Sequence, residues 1–280
     1  MEVINSLGNN YVKKICSLKK KKYRDSEGCF FATGEKFVKD LIVSNLPGCS
    51  DARHIVDAVI VEDGYLEKYL SQTRLTGQLK KLIAAGLVKC FSSQVMGKLS
   101  DDKSAQHIAA VLKKSFFVQA AAKRFAVSEN ILGLCEIQDP RNLGAIMRTA
   151  AATGTGLLLS NDSCDVFSDK VIRTSAGLFD RVGFVQATSR EDFLNRLKDR
   201  RVFAAALNEG MIYTNLNGMK NTCILMGNEG RGLYENDFNI ATDKVFIPME
   251  NDVDSLNVGV AASLFMFELN RKELINEGRA

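Results

Sequence analysis

The stretch ILGLCEIQDPRNLGAIMRTAAATGTGLLLS, residues 131–160, decides the fold. It opens on an apolar run of strand length, 131–137, and closes on a second, GLLLS at 156–160. Between them Pro140 bars an early helical turn, and the residues after it read as a helix running toward Gly154. The runs are apolar throughout rather than alternating, as in parallel strands buried on both faces. Toward the carboxyl terminus, VGFVQA (182–187), VFAAAL (202–207), TCILMG (222–227) and KVFIP (244–248) repeat the pattern between helical segments. Residues 129–280 are therefore expected to form an α/β domain on a mostly parallel sheet. Ligands of such sheets sit beyond the carboxyl ends of the strands, so the polar segments there are where chemistry is sought.

Three such segments stand out. In 138–150, QDPRNLGAIMRTA, Asn142 at the helix start and Arg148 six residues on are expected to face the strand ends together. In 225–233, LMGNEGRGL, three glycines in six residues let the backbone approach a ligand, and Glu229 offers a carboxylate. That segment has neither the G-x-G-x-x-G order nor G-x-x-x-x-G-K-[ST], which argues against a dehydrogenase or a phosphate loop. In 245–263 a strand stops at Pro248, Ser255 reads as the N-cap of the last helix, and Gly259, Ala262 and Ser263 form a small-residue stripe. Such a stripe permits close packing against a ligand, a strand or a second subunit. Taken singly, each segment also fits a blander role as a cap, a solvated turn or a packing surface.

Upstream, residues 1–116 read as a smaller α/β unit. A helix is expected over 9–22, a strand over 29–33, a helix from 34 to 43, a strand over 58–62, helices over 65–71 and 76–85, and a strand over 108–112. Residues 117–128 read as a connector or short helix. The net charge of +4 divides unevenly, +7 on 1–116 and −3 on 117–280. Seven of the twelve residues from 13 to 24 are basic: Lys13, Lys14, Lys19, Lys20, Lys21, Lys22 and Arg24. That density fits a polyanion contact, with a solvated helix end as the alternative.

Composition bounds the rest. At 280 residues, 46% hydrophobic and 25% charged with three prolines, the chain reads as a folded two-domain protein. The longest apolar stretch, 258–267, is too short for a membrane span, and the opening MEVIN has no secretory pattern, so the cytoplasm is the expected compartment. Seven dispersed cysteines without a C-x-x-C pair and only two histidines point to reduced thiols and to chemistry without a metal.

Three motifs, N-L-G-A-I-M-R-T-A (142–150), M-G-N-E-G-R-G-L (226–233) and I-P-M-x5-S-L-N-V-G-V-A-A (247–262), occur in this order. They resemble those of the SpoU (TrmH-type) family of RNA ribose 2′-O-methyltransferases, over roughly residues 129–270. The runs NNYVKKICSLKKKKYR (9–24) and GCFFATGEKFV (28–38) resemble the family's amino-terminal substrate-binding domain, itself similar to small ribosomal RNA-binding proteins. Residues 105–107, AQH, depart from the Pro-Gln-Gly common there.

The resemblance implies methyl transfer from S-adenosylmethionine to a ribose 2′-hydroxyl, a SPOUT-like sheet ending in a trefoil knot, and a homodimer. It implies that Gly227, Ile247 and Leu256, with Met226 and Leu207, hold the cofactor. It puts Arg148, Asn142, Glu229, Ser255 and Asn257 at the catalytic and RNA-contacting positions. The implied partner is RNA, structured ribosomal RNA rather than tRNA. The family's usual assignment makes the arginine a general base, but a guanidinium stays protonated in proteins. Arg148 is instead expected to position a phosphate and stabilise oxyanion charge, oriented by Glu229 and Asn142. A non-catalytic RNA-binding protein on the same fold is the competing reading, against which all five motif residues are in place.

Overall fold

Strand-forming runs and amphipathic helices assemble into two units in a computed structural model that describes residues 1–44, 52–99, 106–251 and 254–276. One unit is Met1–Phe117 together with Phe167–Gly177; the other is Val118–Val166 with Leu178–Ala280.

The first unit carries a five-stranded sheet of β1 (Val3–Ile4), β2 (Cys29–Thr33), β3 (Val56–Glu62), β4 (Val88–Phe91) and β5 (Ile108–Lys113), in the order β1-β4-β3-β5-β2. Strands β1, β4 and β3 run parallel, and β5 is antiparallel to β3 and β2. Its helices are α1 (Asn10–Ser17), α2 (Lys21–Glu27), α3 (Glu35–Ser44), α4 (Leu66–Leu70), α5 (Thr73–Ala84) and α6 (Ser93–Leu99), with α7 (Lys114–Ala126) following β5. Val12 and Ile15 of α1 and Leu18, which caps it, pack against Phe31, Ile60, Phe91 and Val111 as one core.

The single helix expected over 9–22 is two. After α1 the chain turns, Lys20 is extended, and α2 begins at Lys21. The pivot is Arg24, only 4% exposed, whose Nη1 donates to the carbonyls of Leu18 at 2.7 Å and Lys19 at 2.8 Å. A guanidinium that satisfies the orphan carbonyls at a helix end stabilises the turn. The expected connector, 117–128, is mostly helix: residues 117–126 are the greater part of α7.

The second unit is an all-parallel sheet. Its strands are β6 (Ile131–Leu134), β7 (Gly156–Leu159), β8 (Phe184–Gln186), β9 (Arg201–Ala205), β10 (Met211–Ile212), β11 (Thr222–Met226) and β12 (Asp243–Phe246). The order is β10-β12-β9-β11-β6-β7-β8, with β6, β7 and β11 buried along their full length. Helices α8 (Pro140–Thr153), α10 (Arg190–Asn195), α11 (Glu235–Phe238), α12 (Val258–Leu269) and α13 (Arg271–Asn276) belong here, whereas α9 (Asp169–Thr174) lies in the first unit. Helix α8 starts sharply because the Asp139 carboxylate accepts from Arg141 N at 2.8 Å and Pro140 occupies a position whose N–H would go unused. It ends on Gly154 at φ 73°.

The small-residue stripe of α12 is used inside the fold. A Cβ on Gly259 would lie 3.7 Å from that of Ala145, and Ser263 Oγ and Thr149 Oγ1 are 3.0 Å apart, so α12 lies close along α8. The N-cap of α12 is Asn257, whose side chain accepts from Gly259 N at 2.9 Å; Ser255, the expected cap, sits two residues ahead in the preceding loop.

Candidate functional site

At the carboxyl ends of β9, β11 and β12 a cavity of about 500 Å³ opens. Its apolar wall includes Leu207, Met226, Ile247 and Leu256, and α12 closes one side with Val258, Ala261 and Phe265. Asn142, Glu229, Ser255 and Asn257 line it as well. Four of the five expected cofactor residues and four of the five expected catalytic residues thus face one cavity, although the segments that carry them are spread along the whole second unit.

Gly227 is not in the lining but shapes it. A Cβ there would fall 2.1 Å from the carbonyl carbon of Gly232, so only glycine lets the turn fold back on itself. Gly232 itself has φ +74°, and Asn228 and Gly232 exchange backbone hydrogen bonds at 3.0 and 2.9 Å. The Asn228 side chain completes the turn, accepting from Gly230 N and donating to the Glu136 carbonyl, both at 3.0 Å. Sequence reading did not single out Asn228, because an asparagine in a glycine-rich turn has no distinguishing spacing.

A chain of hydrogen bonds ties the three segments together at the cavity. Gly259 N donates to Asn257 Oδ1 at 2.9 Å, Asn257 Nδ2 donates to Asn142 Oδ1 at 3.0 Å, and Asn142 Nδ2 donates to Glu229 Oε1 at 3.1 Å. Glu229 also accepts from Asp139 N at 3.2 Å and Gln138 N at 3.3 Å. Partial burial opposes the charge on Glu229, but the Asn142 amide and the backbone N–H groups around it prevail and hold the carboxyl below its ordinary range. Glu229 is therefore a fixed anion that orients amides, and a weak proton acceptor.

Arg148 is placed differently from expectation. It is exposed on α8, is not among the cavity's lining residues, and makes no hydrogen bond or ion pair among the described residues. Glu229 and Asn142 hold each other and Asn257 rather than orienting the arginine. The reason is helical phase: six residues carry Arg148 about 120° around α8 from Asn142. Of the basic run, Lys13, Lys19, Lys20, Lys21 and Lys22 are exposed and Lys14 is half-buried, paired with Glu27 at 3.1 Å. Arg24 is withdrawn from that surface by its role between α1 and α2.

The cavity suits S-adenosylmethionine: its size is that of a small-molecule site, and its apolar side chains alternate with polar groups from the glycine-rich turn. Comparison with known proteins agrees. Residues 129–267 match the SpoU rRNA methylase family, and residues 9–110 match the MRM3-like substrate-binding domain. The chain is 27% identical over 277 residues to the 23S rRNA (guanosine(2553)-2′-O)-methyltransferase RlmP of Bacillus subtilis, covering 96% of this chain and 99% of that protein. Among solved structures, an AdoMet-bound rRNA methyltransferase from Sinorhizobium meliloti superposes with a TM-score of 0.78 at 25% identity, over 97% of this chain and 98% of the other. The SpoU methyltransferase AviRb from Streptomyces viridochromogenes, at 19% identity, shares the fold with a TM-score of 0.72 over 95% of this chain and 100% of its own. With three motifs wired around one cavity and both halves of the chain matched, this protein carries a methylase domain of the SpoU rRNA methylase family over residues 129–267, with an MRM3-like substrate-binding domain ahead of it over residues 9–110.

Proposed function

We propose that the chain is an S-adenosylmethionine-dependent RNA methyltransferase that modifies a ribose 2′-hydroxyl of ribosomal RNA. The observation that carries this reading is the hydrogen-bonded chain Asn257–Asn142–Glu229, which joins all three motifs at the cavity. Leu207, Met226, Ile247 and Leu256 would hold the cofactor, with Gly227 keeping the turn tight. When bound, S-adenosylmethionine supplies a methyl group already activated by its sulfonium, so the ribose oxygen needs alignment and loss of its proton.

The chain's own residues provide the alignment. Asn142 and Asn257 are held by the anionic Glu229 and present fixed amide dipoles at the cavity, where preorganised groups act most strongly. Ser255 offers an exposed hydroxyl at the same opening. Arg148, with no partner among the described residues, is available to grip an RNA phosphate and balance charge developing on the 2′-oxygen, whose proton passes to water. Lys13, Lys14 and Lys19 to Lys22 are assigned to RNA, and Arg24 is not.

Three further assignments rest on the family likeness. A trefoil knot formed by the carboxyl-terminal segment is supported by the approach of the 255–258 loop to the same cavity as the 228–232 turn, and a crystal structure traced through that loop tests it. A homodimer is supported by Val260 and Phe267, 50% and 51% exposed and seven residues apart on α12; a monomer at micromolar concentration in sedimentation would contradict it. A cytoplasmic location is proposed as well, and cell fractionation tests it; among the described residues no helix is long and apolar enough to cross a membrane.

The activity is tested with purified protein, methyl-labelled S-adenosylmethionine, and ribosomal RNA or tRNA from cells lacking the gene. Label on a ribose of ribosomal RNA is the expected result. Label on tRNA alone would move the substrate, and cofactor binding without transfer to either would leave a non-catalytic RNA-binding protein.

A further inference from the structure

Glu136 lies two residues beyond β6 and does not line the cofactor cavity, yet it is fastened to the turn that does. Its N–H donates to Ser160 Oγ at 2.9 Å, its carbonyl accepts from Asn228 Nδ2 at 3.0 Å, and its carboxylate pairs with Arg231. Two of these three contacts go to the 228–232 turn, whose residues all line the cavity. The backbone is strained where they are made. Glu136 has φ 57°, a left-handed conformation that glycine enters freely and a glutamate does not. A side chain kept where glycine would fold more easily points to a task for that side chain.

The task lies at Arg231. Its guanidinium pairs with the Glu136 carboxylate and lies over the Tyr234 ring, 4.2 Å from the centroid, and Arg231 itself lines the cavity. A compact cavity of about 500 Å³ is roughly 10 Å across, about one Debye length at 0.1 M salt, so a ligand filling it feels a cation in the wall. S-adenosylmethionine carries a positively charged sulfonium, and its product S-adenosylhomocysteine carries a neutral thioether in the same place. An unmatched Arg231 would therefore disfavour the methyl donor and spare the spent product. Glu136 sets an anion against that cation from behind the wall, without occupying the cavity.

We propose that Glu136 is a positioning residue of the cofactor site, which holds Arg231 in the cavity wall and offsets its charge so that a cationic sulfonium is accepted there. This role rests on S-adenosylmethionine being the cavity's ligand.

The test compares the affinities of S-adenosylmethionine and S-adenosylhomocysteine by calorimetry on the full chain, with the melting temperature alongside. Glu136→Gln keeps the size of the side chain and removes its charge. Because the pair is partly exposed, the preference for the sulfonium ligand over the neutral one is expected to fall about threefold to fivefold. Arg231→Gln removes the cation instead and is expected to shift the same ratio the opposite way. Glu136→Asp, which keeps the charge, is expected to restore it. Glu136→Gly, whose backbone suits the left-handed conformation, is expected to lose the preference as Glu136→Gln does while keeping its melting temperature. In Glu136→Gln, an unchanged ratio, or a loss shared equally by both ligands as a purely structural bond would give, would overturn this role. If the unaltered chain binds neither ligand, the assignment of the cavity to the cofactor fails, and the role of Glu136 with it.

Discussion

Asn257 does two things with one amide: its oxygen caps α12 through Gly259 N, and its nitrogen reaches Asn142. The two can be separated. Asn257→Asp keeps an accepting oxygen for the cap but removes the donor, so its unfolding free energy is expected to stay within about 0.5 kcal/mol of the unaltered protein while methyl transfer falls at least tenfold. Asn257→Ala loses both and costs about 1 kcal/mol in denaturant unfolding as well. Glu229 makes a pH prediction. Its carboxyl is held below the ordinary value of 4.5, so the stability it contributes is complete above that value and is lost as pH falls through the depressed one. Glu229→Gln is therefore expected to blunt the acid limb of a thermal-denaturation profile, and to lower activity by one constant factor across roughly pH 6–9, where the carboxylate stays charged throughout. A changed profile shape in that range would show that Glu229 exchanges a proton during turnover. Arg24 marks the limit of reading residues from sequence. Charge density alone put it with the RNA-facing lysines, and nothing local told that its guanidinium would serve two carbonyls. Arg24→Ala is expected to lower the melting temperature, losing on the order of 2–3 kcal/mol of charge-assisted hydrogen bonding, whereas Lys22→Ala is expected to leave it unchanged.

At the scale of elements, the apolar runs were legible because strands buried along their length, as β6, β7 and β11 are, carry few polar positions. β6, β7, β9, β11 and β12 all lie where those runs are. The two-residue strands β1 and β10 were not, being too short for any pattern, and β4 was hidden by Lys89 in its middle. The break between α1 and α2 was missed for a related reason: a lysine-rich stretch has ample helix propensity, and a tertiary contact from Arg24 overrides it. Pairing of α8 with α12 could be anticipated only as a stripe of small residues whose partner was unknown. The glycine-rich turn gives the sharpest element-level prediction. In Gly227→Ala the new methyl meets the Gly232 backbone, which has no flexible end to move aside, so cofactor affinity by calorimetry is expected to fall at least tenfold with a stability loss of about 1–3 kcal/mol. Unchanged affinity would mean that the turn does not form the cofactor's wall.

For the whole molecule, the sequence suggested two consecutive domains, and the chain is organised as two units, each drawn from two separate stretches of sequence. No composition shift announces the excursion of residues 167–177 into the first unit, because Phe167, Val171 and Ile172 are as apolar as residues serving the methylase core would be. Their burial belongs to the first unit. A protein truncated to residues 118–280 is expected to expose these three side chains and to aggregate in size-exclusion chromatography, and replacing them together with serine is expected to reduce that aggregation.

The same excursion bears on how such proteins can be recombined. A cut at residue 117 looks like a clean joint at which one substrate-binding module could be exchanged for another, by a genetic engineer or by gene fusion. Because Asp169 is the partner of Thr33 and Phe167 of Phe30, an incoming module would meet a helix fitted to its predecessor. Retargeting by module exchange therefore requires two grafts, the amino-terminal block and the eleven residues of 167–177. A chimera carrying only the first would inherit a mismatched seam.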